Sequence, residues 1–169
     1  MTARPAAALR ALRSGDAEGM RAVLEACECS WAEFAPAGWT PPPAGGAHWL
    51  CELEHGPDWT RVAECEDAIV GFASWSEARD AAFGPPISGV ANLNALFVHP
   101  SWWRRGIAAR LLEEAEAAMR DAGYAWGRLF TPRGAPAERF YRARGWIADG
   151  RLAWHHVLGF TVIGYAREL

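Results

Sequence analysis

The hydrophobic positions of this chain follow two periods, and the period assigns each segment. Met20, Val23, Leu24 and Cys27 fall at i, i+3, i+4 and i+7, the stripe of one helix face. This predicts a helix over Ala17 to Glu28, with Asp16 as its N-cap. Ile107, Leu111, Leu112, Ala115, Met119 and Ala122 recur at helical spacing, and Gly123 suits the end of their helix. Pro136 fits the first position of a further helix that carries Ala137, Phe140, Tyr141 and Arg144 and closes at Gly145. Ser30 to Phe34 reads as a short helix of its own.

Shorter apolar runs bounded by turn residues predict strands. They are Ala6 to Leu12, Trp59 to Cys65, Ala68 to Trp75, Val90 to Val98, Trp126 to Thr131, Trp146 to Trp154 and Leu158 to Ala166. Glu66-Asp67 makes the second and third of these a hairpin. The strand-helix-strand order from residue 90 to 131 predicts a parallel pair with a helical crossover, and the last two strands an antiparallel pair. Pro41 to Pro43 and Gly45-Gly46 exclude regular structure from Pro36 to Ala47; Asp80 to Pro86 is a second loop. The expected architecture is α/β (α+β): one domain over residues 1–169, with a mixed, mostly antiparallel sheet of about seven strands flanked by about four helices.

Composition narrows the function. Hydrophobic residues make up 51% of 169, enough for one real core. A net charge of −3 argues against a general nucleic-acid binder. No apolar run is long enough to span a bilayer, and Met1 to Pro5 lacks a signal-peptide core, so a cytoplasmic protein is the expectation. All 17 basic residues other than histidine are arginine, which excludes a lysine Schiff base and a P-loop lysine. Cys27, Cys29, Cys51 and Cys65 match no zinc spacing and read as free thiols. His155 and His156, adjacent on a strand, would point to opposite faces. No metal is expected.

The stretch Val98 to Leu112 reads as a strand end, a tight basic turn and a new helix. Its turn holds Arg104, Arg105, Gly106, Ala108 and Ala109. Small residues let a ligand approach the backbone, and a helix start offers unpaired N–H groups and the positive end of its dipole. Such a place binds phosphate.

This turn resembles the acyl-CoA motif of the GCN5-related N-acetyltransferases (GNAT family), which reads Arg or Gln, two residues, Gly, one residue, Gly or Ala. Here the run is Trp103-Arg104-Arg105-Gly106-Ile107-Ala108, with Trp103 departing at the first position. A second family marker follows at the expected distance, as Gly134-Ala135-Pro136-Ala137-Glu138-Arg139-Phe140-Tyr141 and then Gly145-Trp146. Gly134 replaces the family's asparagine. The order of elements also looks like the whole GNAT fold, in which the sheet splays near the CoA site.

The resemblance implies that acetyl-CoA is the co-substrate and an amine the acceptor. It implies that pantetheine pairs with Leu96, Phe97 and Val98, and that pyrophosphate rests on Arg104, Arg105, Gly106, Ile107, Ala108 and Ala109, with Trp103 beside them in the cofactor-binding run. A backbone N–H there would polarise the thioester oxygen. Tyr141 falls where the family carries the proton donor for the leaving thiolate. The family's glutamate base has no equivalent, because the two positions that correspond to it are Asn92 and Asn94, and an amide is no base. Glu64, Glu77, His48, His99 or a water chain remain open as bases. The acceptor site would be built by Trp31 to Trp59 and Arg151 to Phe160, with Trp31, Trp39, Trp49 and Trp59 lining an apolar pocket or anchoring the loop. That suggests a small amine with an apolar or aromatic part. A non-catalytic acyl-CoA-binding or ligand-binding module is the alternative, and a homodimer contact on exposed tryptophans stays open.

Overall fold

In the computed structural model, which describes residues 6–42, 50, 53, 59–81 and 84–169, the elements follow the expected order. The strands are β1 (Ala8–Ala11), β2 (Trp59–Cys65), β3 (Ala68–Arg79), β4 (Pro86–Val98), β5 (Trp126–Pro132), β6 (Ile147–His155) and β7 (Phe160–Glu168). The α-helices are α1 (Ala17–Ser30), α2 (Ile107–Asp121) and α3 (Pro136–Arg142). Single 3-10 turns cover Trp31–Glu33 and Pro100–Trp102. Trp49, His48, Cys51 and the loop beyond Pro42 lie outside the described residues.

Three α-helices stand among the described residues where about four were expected. The difference is Ser30 to Phe34. There α1 runs on through Ser30 and tightens into a 3-10 turn, with the Phe34 N–H donating to the Trp31 carbonyl at 3.0 Å. Such a turn satisfies carbonyls that an α-helix end leaves open. Asp16 is the N-cap of α1, its carbonyl accepting the Met20 N–H at 3.0 Å, but its carboxylate makes no cap bond to the helix. It accepts instead from Arg10 at 2.7 and 2.9 Å and from the Arg13 N–H at 2.7 Å, because a guanidinium is a stronger partner than a helix amide.

The sheet order is β1-β2-β3-β4-β5-β7-β6. Every neighbouring pair is antiparallel except β4 and β5, whose crossover is α2. The β2–β3 hairpin turns on Glu66 and Asp67, both at positive φ, the conformation that matches strand twist in a tight hairpin. α1 covers one face of the sheet, packing Met20, Val23, Leu24 and Cys27 onto Val62, Phe72 and Ala95. Leu50 and Leu53 join this cluster. α2 and α3 cover the other face, over Ala91, Leu93, Leu129 and Tyr165. Burial of each large side chain in these layers contributes about 1.5–3 kcal/mol.

Two irregularities position the site. First, β4 pairs with β5 only from Val90–Leu93 against Trp126–Leu129. Beyond that, β4 stays with β3 as far as Val98 opposite Gly71, and β5 stays with β7 as far as Pro132 opposite Val162. The two central strands therefore splay apart. Second, Leu93 faces Trp75 but Ala95 faces Ser74, leaving Asn94 as a bulge. The extra residue shifts the side-chain phase. Ala91 and Leu93 point to the α2 layer, whereas Ala95 and Phe97 pack with α1.

Candidate active site

The splay opens a cavity of about 1050 Å³. One wall is the end of β4. The His99 N–H donates to Val70 O at 2.9 Å, so the Val98 carbonyl, on the other side of that trans peptide, faces away from β3 and into the gap. In an extended strand the Val98 N–H points the same way, and Leu96, two residues earlier, repeats it. Val98 O accepts the Trp103 indole N–H at 2.6 Å and the Cys27 thiol at 3.2 Å. Trp103 thus fills its departure from the motif with a bond back to the strand.

Below this wall the chain enters α2. Arg104 (φ 62) and Gly106 (φ 77) are both left-handed. At Gly106 a Cβ would meet nothing within 4 Å, so the requirement for glycine is conformational rather than steric. The first bond of the helical ladder runs from the Arg110 N–H to Gly106 O at 3.1 Å. The N–H groups of Ile107, Ala108 and Ala109 precede it and remain for a ligand. Arg104 lines the cavity beside them. Arg105 turns away, with its guanidinium 4.5 Å from the Trp102 ring centre and bonded to Ser101 O at 3.1 Å. The fit to a diphosphate is good: open amides, an arginine on the cavity wall, and side chains no larger than Ala at Ala108 and Ala109.

Tyr141 reaches the same space from α3. Its ring is buried between Trp146 and Tyr165, at 6.0 and 6.3 Å. Its hydroxyl makes no hydrogen bond among the described residues, and burial pushes the phenol well above its ordinary value. It is a neutral proton donor at any physiological pH. Of the eleven residues expected at the site, only Arg105 lies off the cavity wall.

Residues 48–148 match the model of the acetyltransferase (GNAT) domain. The chain belongs to the GNAT family. A search of curated protein sequences finds no match. Solved structures share the fold along nearly the whole chain. One from Desulfovibrio desulfuricans, assigned to the GNAT family, superposes with a TM-score of 0.74 at 24% identity, covering 96% of this chain and 99% of that one. The PaiA N-acetyltransferase of Thermoplasma acidophilum, in complex with coenzyme A, gives 0.71 at 18%, covering 98% and 100%. YncA of Salmonella typhimurium, holding acetyl-CoA, gives 0.70 at 13%, covering 98% and 95%.

The base candidates of this GNAT domain separate clearly. Glu64 is held by Arg10 at 2.9 Å on the β1–β2 side of the sheet, and that guanidinium keeps its carboxyl below the usual range. Glu77 pairs with Arg79. His99 shapes the turn, its Nδ1 accepting the Ser101 N–H at 3.2 Å. Asn92 and Asn94 line the cavity, joined at 2.7 Å, with Asn94 donating on to Ser76 at 3.0 Å and Arg128 donating to Asn92 at 3.3 Å. They form a polar floor without a proton acceptor of useful basicity. His48 lies outside the described residues.

The α1 side of the cavity holds a carboxylate that the sequence reading passed over. Glu28 lines it together with Glu25 and Trp31. Burial, then the neighbouring Glu25, raises the Glu28 carboxyl to about 6. The signal was in the spacing: Leu24, Glu28 and Trp31 stand at i, i+4 and i+7, a stripe beside the apolar one. Trp31 packs 6.3 Å from Phe97 and 5.8 Å from Phe160. Trp39 reaches the β6–β7 turn, its indole N–H bonding Leu158 O at 2.5 Å. Trp59 stacks on Trp75 at 6.3 Å, away from the cavity wall. Trp31 is therefore a lining residue, and Trp39 and Trp59 are packing anchors.

Among the described residues, Cys27 and Cys29 are free thiols, and no three His, Cys, Asp or Glu residues gather to hold a metal. Among them, too, no helix is long and apolar enough to cross a membrane.

Proposed function

We propose that this GNAT domain is an acetyl-CoA-dependent N-acetyltransferase that passes an acetyl group to the primary amine of a small molecule or a protein, by direct attack in a ternary complex. The observation that carries this reading is the cavity through the splayed sheet. It joins the α2 N-terminus and Tyr141 on one face to α1 and the β6–β7 turn on the other. Two reactants can meet there from opposite sides, and positioning is much of what amide formation from a thioester needs.

The residues present suit that co-substrate. The amides of Ile107, Ala108 and Ala109, with Arg104, would hold its pyrophosphate; the backbone of Leu96 and Val98 would hold its pantetheine arm. An N–H of β4 would stabilise the developing oxyanion, and Tyr141 would protonate the leaving thiolate. Neighbours of the same fold hold coenzyme A and acetyl-CoA, which supports the assignment.

The amides at Asn92 and Asn94 favour the second reading, a module that binds acyl-CoA without transfer. One experiment separates the two. The protein is mixed with acetyl-CoA and a panel of primary amines, and free CoA thiol is followed. Thiol release that requires both the amine and the protein supports the transferase. A thermal shift with CoA but no transfer to any amine leaves the binding module. Absence of a shift at saturating CoA overturns both, since a ligand at 100 times its Kd adds about 2.7 kcal/mol.

A further inference from the structure

The α1 mouth of the cavity is negative and apolar at once. Trp31, Phe97, Phe130 and Trp154 line it. Glu25 and Glu28 supply its acidic groups. Glu25 is engaged by Arg21 at 3.4 Å. Glu28 has neither an ion-pair partner nor a hydrogen bond to its carboxylate among the described residues, although it is partly buried. A desolvated carboxylate without a cation is costly unless something supplies one. The two arginines of the cavity, Arg104 and Arg144, belong to the turn after β4 and the end of α3. His155, at the end of β6, is the other basic group on the wall. Burial pushes its imidazole below the ordinary value, which disfavours a positive charge there. Of the remaining titratable groups there, Cys27 is pushed up to about 12 by burial and Tyr141 is raised likewise.

The last turn of α1 is also held against the reacting strand. Cys27, the residue before Glu28, donates its thiol to Val98 O at 3.2 Å, and Trp31, one turn on, packs on Phe97. Glu28 therefore lies between two contacts to the end of β4.

We propose that Glu28 receives the ammonium group of the acceptor and takes its proton, and hence that the acceptor is a cationic primary amine carried on an apolar or aromatic body. This rests on the transferase reading above. The ammonium gives one proton to the Glu28 carboxylate, which passes it to solvent. The freed lone pair forms the C–N bond at the thioester carbon, and the C–S bond breaks. The nitrogen loses a second proton to solvent, and Tyr141, having given its own proton to the leaving thiolate, takes one back from solvent. A carboxyl raised to about 6 is ionised at pH 7 and closer in basicity to an amine than an exposed glutamate is.

The test uses the whole chain with acetyl-CoA and two matched sets of acceptors: 2-phenylethylamine and tryptamine, cationic at pH 7, and anilines, which are neutral. The wild type should prefer the cationic set, and its kcat/KM should climb through an inflection near pH 6. Glu28→Gln should cost about 100-fold in kcat/KM for the cationic set, lose that inflection, and leave the CoA thermal shift unchanged. Glu28→Asp, one methylene shorter, should recover part of the rate. The wild-type pH profile stands even if a variant folds badly. Wild-type turnover that is indifferent to acceptor charge, with no inflection near pH 6 and Glu28→Gln within twofold, overturns the inference and leaves the transferase intact. No transfer to either set, with CoA still bound, overturns the transferase reading and this inference with it.

Discussion

Single residues at this site act through backbone geometry as much as through side-chain chemistry. Gly106 holds φ at 77° with open space where a Cβ would go, so valine there is opposed by about 1–2 kcal/mol of left-handed strain. The strain is relieved only by reorienting the amides that precede the α2 ladder. Trp103, by contrast, spends its N–H on Val98 O, one of the carbonyls facing the gap. We expect Gly106→Val to weaken CoA binding about tenfold or more and Trp103→Ala to change it by less than about threefold; calorimetric titration with CoA ranks them. The reverse order would mean that the indole, not the turn, grips the ligand. Tyr141 offers the complementary case. Its hydroxyl lacks a partner among the described residues and its ring is packed, so Tyr141→Phe removes a proton donor while keeping the packing. Turnover should fall about 100-fold with CoA affinity within twofold, and equal turnover would remove Tyr141 from the mechanism.

Elements were legible where one interaction dominates a segment, and not where two compete. The stripe of α1, the hairpin at Glu66-Asp67 and the crossover over α2 each follow from a local period or turn. The bulge at Asn94 does not, because Val90 to Val98 reads as one continuous apolar run. Only the pairing with β3 shows that its phase changes halfway. Glu28 escaped for a related reason: at the end of a clean stripe it looks like a solvated cap, and its burial depends on strands far along the chain. Asp16 stands at the N-cap the sequence predicts, but its carboxylate turns to Arg10, on the preceding strand, which no local pattern reveals. That arginine brackets β1, the start of α1 and β2, reaching Asp16 at 2.7 Å and Glu64 at 2.9 Å. The bond to Arg10 holds the Asp16 carboxyl below its ordinary value. Its contribution is therefore present above the unfolded value near 3.9 and is lost as pH falls through the folded one. Asp16→Asn should lower stability at pH 7 by about 0.5–1 kcal/mol, and the gap to wild type should close below about pH 4. Urea melts at pH 7 and pH 3 check this; a gap that persists at low pH would mean that the bracket is not electrostatic.

At the scale of the whole molecule the sheet is two antiparallel halves joined by one short parallel seam. β1 to β4 form one half and β5 to β7 the other, and the seam spans only Val90–Leu93 against Trp126–Leu129. Past Leu93 the halves have no ladder between them, and the N–H groups of Leu96 and Val98 face the gap. A ligand whose amide arm lies in that gap supplies the missing pairing, as an added strand does at a sheet edge. Coenzyme A should therefore protect the amides of Leu96 and Val98 from hydrogen exchange, while Phe97, turned toward β3, changes little. Desulfo-CoA, which lacks the thiol but keeps the pantetheine amides, should protect them equally, and adenosine 3′,5′-bisphosphate, which lacks the arm, should not. Equal protection by the bisphosphate would mean that anchoring at the α2 N-terminus alone tightens the splay, and that the arm does not bridge the two halves.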